Sequence, residues 1–117
     1  MRRIALLIAP LALAACTEQS SGVKVIVGAR LIAAPGREPI EYSVVVIQGG
    51  KIRAAGPQSS TPVPKGAEII RGLGMTVEPP PEGDAIEPGR PANLLLIEAP
   101  SGSPASGRIM RNGEWVK

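Results

Sequence analysis

Met75-Thr76-Val77-Glu78-Pro79-Pro80-Pro81-Glu82-Gly83-Asp84-Ala85-Ile86-Glu87-Pro88-Gly89-Arg90-Pro91-Ala92 decides how this chain is built. Met75-Thr76-Val77 reads as a short strand. Glu78 and three consecutive prolines follow, and proline can neither donate to a central ladder nor continue a helix. Just beyond, Leu94-Leu95-Leu96-Ile97 is a continuous apolar run that fits a central strand. Only a short link rich in Pro, Glu and Gly separates the two segments.

Outward from this link the pattern is β on both sides. Val23-Lys24-Val25-Ile26-Val27 is rich in β-branched residues, and period-2 spacing puts Val23, Val25 and Val27 on one face. Gly28-Ala29-Arg30-Leu31-Ile32 is expected to continue it. Ala33 to Pro39 is a loop, with Pro35-Gly36 setting a turn. Tyr42 to Ile47 reads as a second strand, with Val44 to Ile47 buried on both faces. Gln48-Gly49-Gly50 turns the chain into Lys51 to Ala55, since paired glycines supply the positive φ of a tight hairpin. Gly56 to Gly66 is a proline-rich connection whose Ser59-Ser60-Thr61 centre is expected to be solvated. Ala67 to Arg71 is a short strand and Gly72-Leu73-Gly74 a bend. Pro100 to Ser106 is a loop. A closing hairpin sets Gly107 to Met110 against Glu114 to Val116 across Arg111-Asn112-Gly113, where Asn-Gly is a strong turn signal.

The first residues have a different character. Met1-Arg2-Arg3 is basic, Ile4 to Leu13 is apolar apart from Pro10, and Leu13-Ala14-Ala15 places small residues before Cys16. This is the pattern of a secretory signal, and with a cysteine after the cut it resembles a bacterial lipoprotein signal. The resemblance implies acylation of Cys16 and a chain anchored on a lipid bilayer of the cell envelope, facing the periplasm or exterior. The organisation expected is a signal-peptide helix over 1–15, a lipidated Cys16 with a flexible tether over 16–22, and one β domain over 23–117. Two or more acyl chains give durable anchoring, whereas one binds only marginally.

Charge excludes one class of partner. The 117 residues carry a formal net charge of +3, of which Arg2 and Arg3 leave with the signal. The remaining cations are scattered among acids, and Tyr42 and Trp115 are the only aromatics. A nucleic-acid binder clusters its cations and interleaves aromatics, so no nucleic acid is expected. Cys16 is the single cysteine, which rules out an intrachain disulfide. A domain of this size buries roughly 60–65% of its unfolded surface. Val, Ile and Leu must fill the core because Phe is absent, with Trp115 expected as the largest single contributor.

Val25 to Ile32, Pro39-Ile40-Glu41, Val44 to Ile52 and Ala54-Ala55-Gly56-Pro57 are similar to the opening of amidohydrolases, as is Pro62 to Val77. Ile86 to Leu96 resembles that family's exit from its catalytic barrel, with Asn93 where an aspartate is usual. Ile109 to Val116 resembles its closing hairpin. The resemblance implies an all-β domain, a small β-sandwich or open barrel of short strands built from both ends of the chain. The family holds one or two divalent metals through a His-x-His pair just after the strand equivalent to Met75–Val77, and through ligands from later barrel strands. This chain has no histidine, and prolines follow Val77. A metal-bound hydroxide needs about three converging protein ligands. No catalytic residue, metal ligand or cofactor is therefore expected.

Other chemistry reads as structure. Glu78, Glu82, Asp84 and Glu87 match no calcium-loop spacing and read as a solvated loop. Ser59, Ser60, Ser101, Ser103 and Ser106 have no histidine base and no nucleophile elbow. Gly72-Leu73-Gly74 lacks the third glycine of a phosphate-binding turn. The expected function is a membrane-anchored envelope lipoprotein acting as a non-catalytic interaction or structural module. The alternative is a fragment or subunit of a metal-dependent amidohydrolase, acting on non-peptide C–N bonds and needing a barrel partner. A third reading is an unrelated β lipoprotein that binds peptidoglycan or another envelope protein. The side that packs on the barrel in the family is expected to be apolar, so a homodimer or a lipid- or partner-bound state is expected.

Overall fold

The computed structural model describes residues 22–81, 83–98 and 107–116. The signal peptide, Cys16 and most of the tether lie outside the described residues. Among those described there is no helix, and nine strands form two mixed sheets.

The first sheet contains β1 (Val23–Val27), β3 (Ser43–Gln48), β4 (Lys51–Pro57) and β5 (Glu68–Arg71), in the order β4-β3-β1-β5. The second contains β2 (Arg30–Leu31), β6 (Thr76–Glu78), β7 (Leu94–Ile97), β8 (Gly107–Arg111) and β9 (Glu114–Trp115), in that order. β1 pairs parallel with β5, and β2 parallel with β6; the other pairings are antiparallel. Leu94–Ile97 is the central strand of the second sheet, as its apolar run predicts.

Alternation sorts the side chains into two layers. Ile26, Val45, Ile47 and Ile52 of the first sheet pack with Leu31, Val77, Leu94, Leu96 and Met110 of the second. This shared core makes the fold a sandwich. Val23, Val25, Val44 and Val46 point the other way and form a second cluster. Val44 to Ile47 are thus buried on both faces of one strand, and Val23 and Val25 share a face as predicted.

A long crossover closes that second face. β4 and β5 both run parallel to β1, so residues 58–67 must return across the sheet over β3 and β1. Three strand spacings come to about 14 Å, and an extended stretch of this length reaches roughly 33 Å, so no helix is required. Pro62, Val63 and Pro64 lie against Val46 and Ala54. Thr61 is buried rather than solvated. The reason is local: a Cβ at Gly56 would sit 2.7 Å from Thr61 Oγ1, so a glycine in β4 admits the hydroxyl.

The expected continuation of β1 through Ile32 does not occur. Gly28 adopts φ +95°, and the chain leaves the first sheet there for the second. The same switch happens after β5. Gly72 N–H donates to the Val27 carbonyl at 2.8 Å and Arg30 N–H to the Met75 carbonyl at 2.9 Å. A Cβ on Gly72 would meet Ala29 Cβ at 2.8 Å and Ile26 Cγ2 at 3.0 Å. Two parallel strands therefore change sheets side by side, and only glycine fits where they cross.

The Pro- and Glu-rich link does more than join β6 to β7. Ile86 is buried in the shared core and its N–H donates to the Ala33 carbonyl at 2.8 Å. Ile52 N–H donates to the Arg90 carbonyl, Gly89 N–H to the Ile52 carbonyl and Ala92 N–H to the Gly50 carbonyl, each at 2.8 Å. The link thus occupies the open edge of β4 along residues 89–92, which covers a strand edge that would otherwise invite pairing.

Candidate functional site

The corner where both strands change sheets is also a concavity. It has a volume of ≈490 Å³ and is lined by Gly28, Arg30, Glu41, Tyr42, Leu73, Gly74, Met75 and Thr76. Tyr42 and Leu73 expose 62% and 69% of their surface. Arg30 Nε lies 3.1 Å from Glu41 Oε2, with both side chains about half exposed. Tyr42 is not in the strand predicted for it. Its φ is +49°, a left-handed conformation that non-glycine residues seldom adopt. Neighbouring hydrogen bonds fix it there. Ser43 N–H donates to the Ala29 carbonyl at 2.9 Å, and Gln58 N–H donates to the Tyr42 carbonyl at 3.1 Å.

The acidic residues of the link do not converge on a point. Glu87 pairs with Arg37 at 2.9 Å and lies 3.9 Å from Arg90, and Asp84 lies 3.7 Å from Arg90. Glu78 stands on β6, across from Leu95. Glu82 lies outside the described residues. Arginines spaced through the sequence thus neutralise the loop locally. Among the described residues no three His, Cys, Asp or Glu side chains gather as metal ligands would.

Ser59 and Ser60 are exposed in a turn, while Ser101, Ser103 and Ser106 lie outside the described residues, as does Cys16. Trp115 is half-buried at the rim of the core instead of filling its centre. Arg108 stacks over its ring at 4.0 Å from the centroid. The largest fully buried side chains are Ile, Leu and Met.

The cleft presents a cation, an anion, an exposed ring and an aliphatic side chain. That set can hold a ligand, but it contains no pairing of nucleophile and base. Sequence reasoning missed it because Tyr42 reads as the first residue of a strand, and Arg30 and Leu73 lie far from it along the chain. The one local signal is Glu41-Tyr42, a charged residue beside the chain's single tyrosine, just before a β-branched run.

No family model matches the chain, and no curated protein matches it. Among solved structures it is similar to one from the structural and catalytic characterization of molinate hydrolase, at 28% identity and a TM-score of 0.45. The match covers 49% of this chain and 12% of that one, so the activity of that enzyme does not come with it.

Proposed function

We propose that this chain is a membrane-anchored lipoprotein of the bacterial envelope, a non-catalytic interaction or structural module related to the composite β domain of amidohydrolases. The observation that carries this reading is the pairing of β6 with β7, Val77 opposite Leu96. In the family resembled, the catalytic barrel stands between these two strands. Here a short link joins them, and residues 86–92 of it fold back onto β4 and the core. The absence of histidine from the sequence points the same way. Anchoring at Cys16 would enter the domain at Gly22, before β1. The cleft lies beyond Gly28, at the end of that strand farthest from the tether.

Two assays test the reading. Cys16→Ala should move the chain from the membrane fraction to the soluble one. Purified protein supplied with Zn²⁺ should leave amides, ureas, lactams and cyclic imides intact, and metal-dependent turnover of any of them would overturn the non-catalytic part.

The outer face of the second sheet favours a subunit role as a second reading. Leu95 and Ile109 are register partners, and Val116 N–H donates to the Ile109 carbonyl. The three side chains form a row turned away from the core, with Ile109 and Val116 exposed. A separate barrel protein, or a second copy of the chain, would cover such a row. Co-purification and sedimentation of the Cys16→Ala form test this, and a monomer with no associate at high concentration counts against it.

A further inference from the structure

We infer that the cleft at the sheet crossing binds a neutral saccharide, with the Tyr42 ring as its stacking platform. The first observation is the placement of Tyr42. A left-handed backbone suits glycine or asparagine, and a large aromatic ring suits a strand or a core. Tyr42 has φ +49° and 62% exposure, so the fold gains from it neither an easy backbone nor burial. Strain and exposure held together at the mouth of a concavity are the marks of a residue kept for a ligand. Backbone hydrogen bonds on both sides of it hold the main chain in that conformation.

The second observation is charge. The lining residues carry one cation, Arg30, and one anion, Glu41, already joined at 3.1 Å. A phosphate or carboxylate ligand would meet Glu41, and a metal ion would meet Arg30. A strand of nucleic acid needs a positive groove. The pair suits a neutral ligand with donors and acceptors side by side. The guanidinium carries five N–H donors and the carboxylate two acceptor oxygens, more than the one contact between Arg30 Nε and Glu41 Oε2 uses. Vicinal hydroxyls of a sugar ring complement both. The C–H face of a pyranose would lie on the Tyr42 ring, and Leu73 and Met75 add apolar lining. At ≈490 Å³ the cleft falls in the range of small-ligand sites.

The inference rests on the interaction-module reading but not on lipid attachment. Membrane partition and amide turnover test that reading, whereas saccharide binding tests this site alone. The experiment is saturation-transfer NMR on the full chain in detergent, with maltotetraose, cellotetraose and an N-acetylglucosamine tetramer as probes. At least one should bind. Tyr42→Phe should retain binding, and Tyr42→Asn, which tolerates the backbone, should weaken it about tenfold through loss of the stacked ring. Unchanged Trp115 fluorescence confirms that each variant is folded. Failure of all three probes, or equal binding by Tyr42→Asn, overturns the inference.

Discussion

Gly50 and Gly113 meet tip to tip. Each closes the two-residue turn of a hairpin, β3–β4 in the first sheet and β8–β9 in the second, with φ of +78° and +84°. A Cβ placed on Gly113 would lie 2.9 Å from the Gly50 Cα, and one on Gly50 would lie 3.0 Å from the Asn112 carbonyl oxygen. The contact joins hairpins from opposite flanks of the Pro- and Glu-rich link, which is why neither turn can carry a side chain there. Gly113→Ala should destabilise the domain by about 2–4 kcal/mol, combining a left-handed alanine with overpacking against backbone that cannot yield. Gly74→Ala has the same sign of φ but open space around it, so it should cost about 1–2 kcal/mol. Urea unfolding followed by Trp115 fluorescence compares them. Equal midpoints would show that the tips do not touch.

Ser43 is fully buried, and its hydroxyl donates to the Ala29 carbonyl at 2.7 Å. That carbonyl also accepts the Ser43 N–H at 2.9 Å, so removing the hydroxyl leaves no orphaned acceptor. Ser43→Ala should therefore cost only about 1 kcal/mol. Ser43→Val adds volume to a closed site where the chain switches sheets, and should cost about 1–3 kcal/mol. Thermal unfolding of the two variants checks the order, and a Val variant as stable as wild type would refute the packing described.

Arg108 lies on the core side of the second sheet, opposite Leu96, and covers the ring of Trp115. Its value is as a lid on a half-buried aromatic. Arg108→Ala should cost about 0.5–1 kcal/mol, the size of an exposed cation–π contact. It should also shift the tryptophan emission to the red as water reaches the ring. Arg108→Lys should restore part of the stability but less of the emission, because an ammonium covers less of the ring than a planar guanidinium. No shift in Arg108→Ala would show the ring to be covered by something else.

The parts of this fold that were legible in the sequence are those set by local chemistry. Asn112-Gly113 and Gly49-Gly50 place both hairpin tips because positive φ at two successive positions is a property of those residues alone. Leu94-Leu95-Leu96-Ile97 announces a central strand by lacking any polar position. The parts that were not legible depend on what another segment does. Gly28 breaks β1 because Gly72 and Leu73 pass beside it. Thr61 is buried because Gly56 makes room for it. Tyr42 falls outside β3 because Ala29 and Gln58 hold its flanks, and the cleft exists only once Arg30, Glu41 and Leu73 are brought to one corner. A pattern of one-residue alternation carries none of that information.

The link between the flanks gives the sharpest test of the fold. Read as sequence, Ile86 is the single large aliphatic residue among Pro, Glu, Gly, Asp and Ala, and a solvated loop would leave it exposed. In the structure it is 2% exposed and packs in the core shared by both sheets. Ile86→Ala should then destabilise the domain by about 2–5 kcal/mol, as truncation of a core isoleucine does. Glu87→Gln, its neighbour, should cost less than about 1 kcal/mol, because its pairs with Arg37 and Arg90 are partly exposed and screened by solvent. That smaller effect should fade further in high salt. Denaturation of both variants at low and high salt separates the two roles. If Ile86→Ala is no more damaging than Glu87→Gln, the link is a tether rather than part of the core.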